Sequence, residues 1–230
     1  VSLPDFDPNK ASKAKSDDLF NRATLGIYEM GSTFKTLTMA MALDRKKIKL
    51  NDVYDVQKPI KVSGFTISDF KSKGPWLTVP EIFMHSSNIG TAKIMYEVGK
   101  NVQKEYLKKL GITSPLEIEL GEKAKPIYPS DNRWSDLSAI TISYGHGIAV
   151  TPVHLVKSIA SVVNGGNLNP ITILKRKEGE EFESVKIFNE KTSEEMRKLL
   201  RLVVEKGSGG KADVKGYLVG GKTGTANKSK

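Results

Sequence analysis

Ser32 and Lys35 open a stretch, residues 32–44, whose apolar side chains recur with helical spacing. Phe34, Leu37 and Met41 fall at i, i+3 and i+7, and Ala40, Ala42 and Leu43 support the same pattern. The spacing predicts a helix from Ser32 to Asp44. On such a helix, positions three apart share a face, with Cβ atoms roughly 5–6 Å apart. A serine hydroxyl is a poor nucleophile until a base takes its proton, and a lysine at that spacing can serve as the base. Gly31 or Ser32 is the expected N-cap, which gathers free backbone N–H groups around the serine oxygen. Such donors are what an oxyanion needs. Alone, Ser-x-x-Lys is common on solvated helices. It gains weight only from polar clusters downstream.

Length and charge bound the rest. The 230 residues suffice for one well-buried domain, with room for a small second lobe. Net charge is +10, from 36 basic against 26 acidic residues, but the lysines are dispersed and no nucleic-acid motif accompanies them. A basic solvated surface with no nucleic-acid partner is the expectation. The chain has no cysteine, which excludes a thiol nucleophile, a disulfide framework and cysteine-ligated metal. No stretch approaches the roughly 18 apolar residues of a membrane span. The first residues do not read as a signal peptide, so an anchor is expected to lie outside this chain.

In chain order, Val1–Pro4 reads as the tail of a strand and Asp5–Asp18 as a polar loop. Lys58–Gly74 reads as a loop with strand pieces around Phe65–Ile67. Thr78 and Glu81 form a capping box with Pro80 early in the helix they open. Helices follow at Ile89–Gly99 and at Asn101–Leu110, the second capped by Asn101 and stopped by Gly111. Glu117–Ser138 is irregular. Thr151-Pro152 begins a helix with Leu155, Val156, Ile159, Val162 and Val163 as its buried stripe, ended by Asn164-Gly165-Gly166. Ile171–Leu174 and Val185–Phe188 suggest a hairpin. Thr192–Glu195 is a second capping box, leading a helix with Met196, Leu199, Leu200, Val203 and Val204 inside. Tyr217–Val219 starts a last strand that runs into Lys222-Thr223-Gly224-Thr225.

Two further motifs carry chemistry. Ser86-Ser87-Asn88 sits between helices and offers a hydroxyl able to relay a proton and an amide able to hold a carbonyl. In Lys222-Thr223-Gly224-Thr225 the lysine fixes a positive potential and the threonine hydroxyls suit a carboxylate. The glycine there lets a substrate backbone approach. Such a strand edge can also pair with an extended peptide. His85, His146 and His154 read as structural or surface residues, and Trp76 and Trp134 as packing residues. Gly145-His146-Gly147 is a turn that edges the cleft.

Ser-x-x-Lys, Ser-x-Asn and Lys-Thr-Gly in this order are nearly the set that marks penicillin-binding proteins and class A β-lactamases. With them in place, the chain resembles the transpeptidase domain of class B penicillin-binding proteins, most closely the division-type (FtsI-like) enzymes. Segments 1–9, 76–92, 147–155 and 203–226 share the likeness. Met30 departs from it, since proline often precedes Gly-Ser in the family.

The resemblance implies a mixed α and β fold: a helical subdomain plus an antiparallel sheet flanked by helices, with residues 1–230 a partial domain. Residues 36–165 would be mostly helical, and 166–230 would supply hairpin, helix and Lys-Thr-Gly strand. It also implies sheet strands beyond both ends of the chain, which would leave Tyr217–Thr225 short of pairing partners.

The implied chemistry is peptidoglycan D,D-transpeptidation, serving cell division or cell shape. Ser32 attacks the penultimate D-alanine carbonyl of a stem pentapeptide while a neutral Lys35 takes its proton. Ser86 relays a proton to the leaving group, and Asn88 holds substrate backbone or Lys35. Thr223 and Thr225 bind the terminal carboxylate in the field of Lys222, with Gly224 beside them in the substrate-binding segment. The N–H groups of Ser32 and Thr225 form the oxyanion hole. Implied ligands are stem peptides and β-lactam antibiotics, with divisome and cell-wall synthesis proteins as partners and neither metal nor cofactor. The implied location is the periplasmic face of the bacterial inner membrane. The alternatives are a β-lactamase or β-lactam sensor of the same fold, and a truncated non-catalytic peptidoglycan- or divisome-binding fragment.

Overall fold

The computed structural model describes residues 3–71 and 73–225. Its centre is α2 (Lys35–Asp44), preceded by a 3₁₀ turn over Gly31–Phe34. Every residue from Lys35 to Leu43 is buried, so this helix meets protein on all sides. Its neighbours are α4 (Asn88–Val98), α5 (Lys100–Lys109), α7 (Pro152–Val163) and α8 (Glu190–Lys206). The remaining helices are α1 (Ser16–Leu19), α3 (Val79–His85) and α6 (Asp136–Ser143). α8 contributes the expected apolar stripe: Met196, Leu199, Leu200, Val203 and Val204 are all buried. Burying five such side chains favours folding by about 1.5–3 kcal/mol each.

The strands are short and antiparallel. β1 (Val53–Asp55) pairs with β4 (Trp76–Thr78), and β2 (Ile60–Val62) with β3 (Phe65–Ile67). β5 (Asn167–Leu168) pairs with β6 (Val185–Lys186). The mixed α/β character and antiparallel pairing agree with expectation. Tyr217–Thr225 pairs with no strand among the described residues. It is tied down by Gly221 N–H on the Leu200 carbonyl and by Arg201 on the Val219 carbonyl.

Local signals hold where a cap settles them. Thr78 and Glu81 form the reciprocal capping box at α3. Thr151 caps α7 through the His154 N–H. Elsewhere the structure corrects the sequence-based expectation. Asp5–Asp18 contains a 3₁₀ turn (Pro8–Lys13) and most of α1, because Asp7 accepts from the first-turn N–H of Asn9 and Asp18 accepts from the N–H of Lys15 just before α1. Val1 and Ser2 of the expected strand tail lie outside the described residues, and Leu3 and Pro4 pair with no described strand. Met30, not Gly31 or Ser32, precedes the nucleophile turn. α5 starts at Lys100 after Gly99, with no side-chain cap, so Asn101 is inside it. α6 emerges from a stretch expected to be irregular, its start capped by Ser135. The hairpin uses Asn167–Leu168 and not Ile171–Leu174 as its first arm. Trp134 is buried, as a packing residue should be, whereas Trp76 is 62% exposed.

α7 widens the expected stripe and drops one member of it. Val162 is buried and Leu155, Ile159 and Val163 pack half-buried against the core as predicted, but Val156 is 67% exposed, and His154, Ser158 and Ser161 are buried as well. The two serines return their hydroxyls to the carbonyls of His154 and Ser158, each at 2.8 Å, and so enter the interior already satisfied. His154 is held as a neutral ring: Nε2 donates to the Ser114 carbonyl at 2.9 Å and Nδ1 meets the Thr151 hydroxyl at 2.8 Å. Burial lowers its pKa, with Lys157 adding to the effect.

α8 begins at Glu190, two residues before the expected capping box, and its start is held by a residue from elsewhere in the chain. Asp44, at the end of α2, accepts from the Asn189 N–H at 2.7 Å and from the Thr192 hydroxyl at 3.0 Å. Its other oxygen takes the hydroxyl of buried Tyr106 in α5, and burial followed by this contact raises the phenol pKa. One carboxylate thus joins three helices. Asp44→Ala leaves the Tyr106 hydroxyl unpaired and should cost about 1–3 kcal/mol. Thermal melting should register roughly 2–4 °C per kcal/mol lost. An unchanged melting temperature would show that the junction carries no stability.

Candidate active site

The site is built where the 3₁₀ turn enters α2. Gly31 adopts φ +53°, a left-handed conformation, and its N–H donates to the Gly145 carbonyl at 3.2 Å. A Cβ on Gly31 would collide with the Thr225 carbonyl, and one on Gly145 with the Gly31 carbonyl. Three backbones therefore meet beside Ser32: the nucleophile turn, the 145–147 loop and the Lys-Thr-Gly segment. Glu29 fixes the loop by accepting from Gly147 N–H at 2.8 Å and meeting His146 Nδ1 at 2.9 Å. Gly145-His146-Gly147 does edge the site.

Gly224 also has a packing role that its motif does not suggest. A Cβ there would lie 2.9 Å from Thr33 Cγ2 and 3.0 Å from the Met30 carbonyl. The glycine makes room for the nucleophile turn itself.

Lys35 is fully buried. Its Nζ lies 2.6 Å from the Ser86 carbonyl, 2.7 Å from Asn88 Oδ1 and 3.1 Å from Ser86 Oγ. The first two partners are pure acceptors, so they consume the two N–H bonds of a neutral amine. Its lone pair is left for a hydroxyl, which is the arrangement of a base. Burial, then Lys222, lower the Lys35 pKa to about 7, while Asp69 opposes them. Desolvation also brings half-buried Lys222 down to about 8, so it remains mostly cationic at neutral pH. Its Nζ sits 5.8 Å from the Phe83 ring.

The acceptors of Lys35 are set by the junction of α3 and α4. Ser86 ends α3 in a left-handed conformation (φ +59°, ψ 41°), and Ser87 caps α4 through the Gly90 N–H at 2.9 Å. Asp69 is a site residue that sequence reasoning missed. Its carboxylate accepts from Ser87 Oγ at 2.7 Å and from the N–H groups of Asn88 and Ile89. No local pattern flags it, since it reaches a helix start many residues away.

Six of the eight residues singled out in the sequence, Ser32, Lys35, Ser86, Asn88, Gly224 and Thr225, are gathered at this turn or packed against it. Lys222 acts on Lys35 through its charge. The Thr223 hydroxyl is engaged with Ser208 Oγ at 2.7 Å and can still donate to a carboxylate when Ser208 is the donor of that pair. Ser32 N–H and Thr225 N–H donate to no backbone carbonyl among the described residues, so both remain available to an anion. Among the described residues no group of three His, Asp or Glu side chains is placed to hold a metal.

Between pH 7 and 10.5 the unfolded chain holds a proton on Lys35 that the folded chain does not. This group's contribution to stability therefore rises with pH across that window. The stability of the parent relative to Lys35→Met, measured in urea, should increase from pH 7 to pH 10. A difference that is flat or falls would mean the folded amine is charged.

Comparisons with known proteins converge on one family. The family model for the penicillin binding protein transpeptidase domain matches residues 1–230. A Caulobacter vibrioides protein named "Probable peptidoglycan D,D-transpeptidase FtsI" is 42% identical over 231 residues, covering 99% of this chain. The Escherichia coli K12 "Peptidoglycan D,D-transpeptidase FtsI" is 29% identical, again over 99% of this chain. The chain spans 39% of the first relative's length and 38% of the second's. The transpeptidase domain of Burkholderia pseudomallei penicillin-binding protein 3 superposes with a TM-score of 0.86 at 29% identity. That match covers 91% of this chain and 63% of the other.

Proposed function

We propose that this chain, which belongs to the penicillin-binding protein transpeptidase domain family, carries the acyl-transfer site of a class B peptidoglycan D,D-transpeptidase. One observation carries the assignment of roles. A buried lysine with a pKa near 7 lies one turn from Ser32, its N–H bonds occupied by pure acceptors of the Ser86–Asn88 turn.

The reaction runs in two halves. Ser32 Oγ attacks the carbonyl of the penultimate D-alanine while Lys35 takes the hydroxyl proton. The oxyanion is met by the Ser32 and Thr225 N–H groups, and the terminal carboxylate by Thr223, Thr225 and the Lys222 field. Collapse breaks the peptide bond. Lys35, through Ser86 Oγ, returns the proton to the departing D-alanine amine, leaving an ester on Ser32. The amine of a neighbouring stem peptide then attacks that ester, and its proton returns the site to its starting state. A cross-link has formed with no change of oxidation state. β-Lactams enter the same path and leave a slowly hydrolysed acyl group on Ser32.

The transpeptidase reading is favoured over a β-lactamase by the relatives' names, and the rate of deacylation separates the two: hours for the synthase, minutes or less for a hydrolase. We place the domain at the periplasmic face of the inner membrane, alongside division and cell-wall synthesis proteins. No helix among the described residues is long and apolar enough to cross a membrane.

Intact-mass spectrometry with a penicillin tests the assignment. The parent should gain one adduct mapping to Ser32, and Ser32→Ala should gain none while melting at nearly the parent temperature. Lys35→Arg keeps charge without a usable base and should slow acylation at least about 100-fold. An adduct on another serine, or near-normal acylation by the arginine variant, would overturn the roles assigned to Ser32 and Lys35.

A further inference from the structure

We propose that Asp69 is a positioning residue for acyl transfer: it holds the Ser86–Asn88 turn and supplies the negative charge that balances Lys222 around the Lys35 amine. This rests on the function proposed above and adds a residue outside the three motifs.

The geometry makes Asp69 more than a helix cap. α4 already has its own cap in Ser87, whose hydroxyl receives the Gly90 N–H. Asp69 then binds that same hydroxyl with one oxygen, and with the other the N–H groups of Asn88 and Ile89. The carboxylate therefore clamps the turn from the helix N-terminal side, where the helix dipole favours negative charge. Its neighbour Ser68 completes the clamp. The Ser68 carbonyl accepts from Asn88 Nδ2 at 3.1 Å, which turns Asn88 Oδ1 toward Lys35 Nζ. The orientation of the Asn88 amide is thus decided at residues 68–69.

Those residues are themselves anchored. They follow directly on β3, whose Ile67 is buried against Ala92 of α4 and Ile140 of α6. The β2–β3 hairpin is seated on the two helices by this small apolar cluster, and Asp69 is the point at which it touches the site.

The charge argument is separate. The charged groups acting on Lys35 are Lys222 from the Lys-Thr-Gly segment and Asp69 from the hairpin, while its direct partners Ser86 and Asn88 are neutral. Asp69 alone opposes desolvation and Lys222. Removing its charge, with the side chain otherwise kept, should make Lys35 lose its proton at lower pH.

The test compares Asp69→Asn, Asp69→Ala and Ser87→Ala with the parent chain. Acylation by a fluorescent penicillin is followed from pH 5.5 to 9.5, with thermal melts to confirm folding. In Asp69→Asn the rising limb of the acylation profile should move to lower pH. In Ser87→Ala, which keeps the charge, the limb should stay in place while the rate falls. In Asp69→Ala acylation above the limb should fall about 10- to 100-fold, the scale of a misplaced catalytic group. A limb unmoved in Asp69→Asn, even with a uniform loss of rate, would leave Asp69 a helix cap and overturn the proposal. Parent-like rates in Asp69→Ala would do the same. A ¹³C NMR titration of Lys35 in Asp69→Asn reads the same shift without chemistry. If the parent fails to acylate, the function proposed above falls, and the titration still decides the role of Asp69.

Discussion

The structure depends on giving one buried amine enough acceptors. Lys35 sits on a helix whose other faces are filled by Leu37, Met39, Ala40, Met41 and Ala42, so its ammonium has no route to water. Moving a lysine from an ordinary value of 10.5 to about 7 corresponds to on the order of 5 kcal/mol against the charged form. Among the described residues no carboxylate touches it directly to offset that cost; its partners there are a carbonyl, an amide oxygen and a hydroxyl. Neutrality near physiological pH follows from burial first and from Lys222 second.

Supplying those acceptors shapes the neighbouring chain. The Ser86 carbonyl faces Lys35 because α3 ends at Ser86 in a left-handed conformation. α4 restarts at once, capped by Ser87, and this carries Asn88 to the same amine. On the other side, close approach of backbones sets the geometry. Gly31 and Gly145 lack side chains where the nucleophile turn, the 145–147 loop and Thr225 meet. A Cβ on Gly31 would push Thr225 away from Ser32, and one on Gly145 would push the 145–147 loop off the nucleophile turn. Chemistry and packing are the same requirement at this point.

What could be read from the sequence was what local rules decide. Ser32 and Lys35 lie a turn apart because apolar spacing fixed the helix, and Thr78–Glu81 and Thr151-Pro152 announced helix starts within four residues. The motif set and its resemblance brought in Ser86, Asn88 and the Lys-Thr-Gly segment. The rest was hidden for physical reasons. Asp44 holds the start of α8 and Asp69 clamps α4 across long sequence separations, and a lone aspartate at a helix end or in a loop gives no sign of such a role. α7 buries serines that satisfy themselves on their own helix, whereas apolar periodicity pointed to Val156. Strands of two or three residues, such as β5 and β6, are too short to show alternation.

The direct measurement is the proton affinity of Lys35 in the folded parent chain. With ¹³C-labelled lysine, and the resonance assigned by its disappearance in Lys35→Met, the side-chain shift is followed from pH 5 to 11. A midpoint near 7, well separated from the other lysines, is the predicted result. A midpoint near 10.5 would contradict the claim that burial and Lys222 prepare this amine to act as a base.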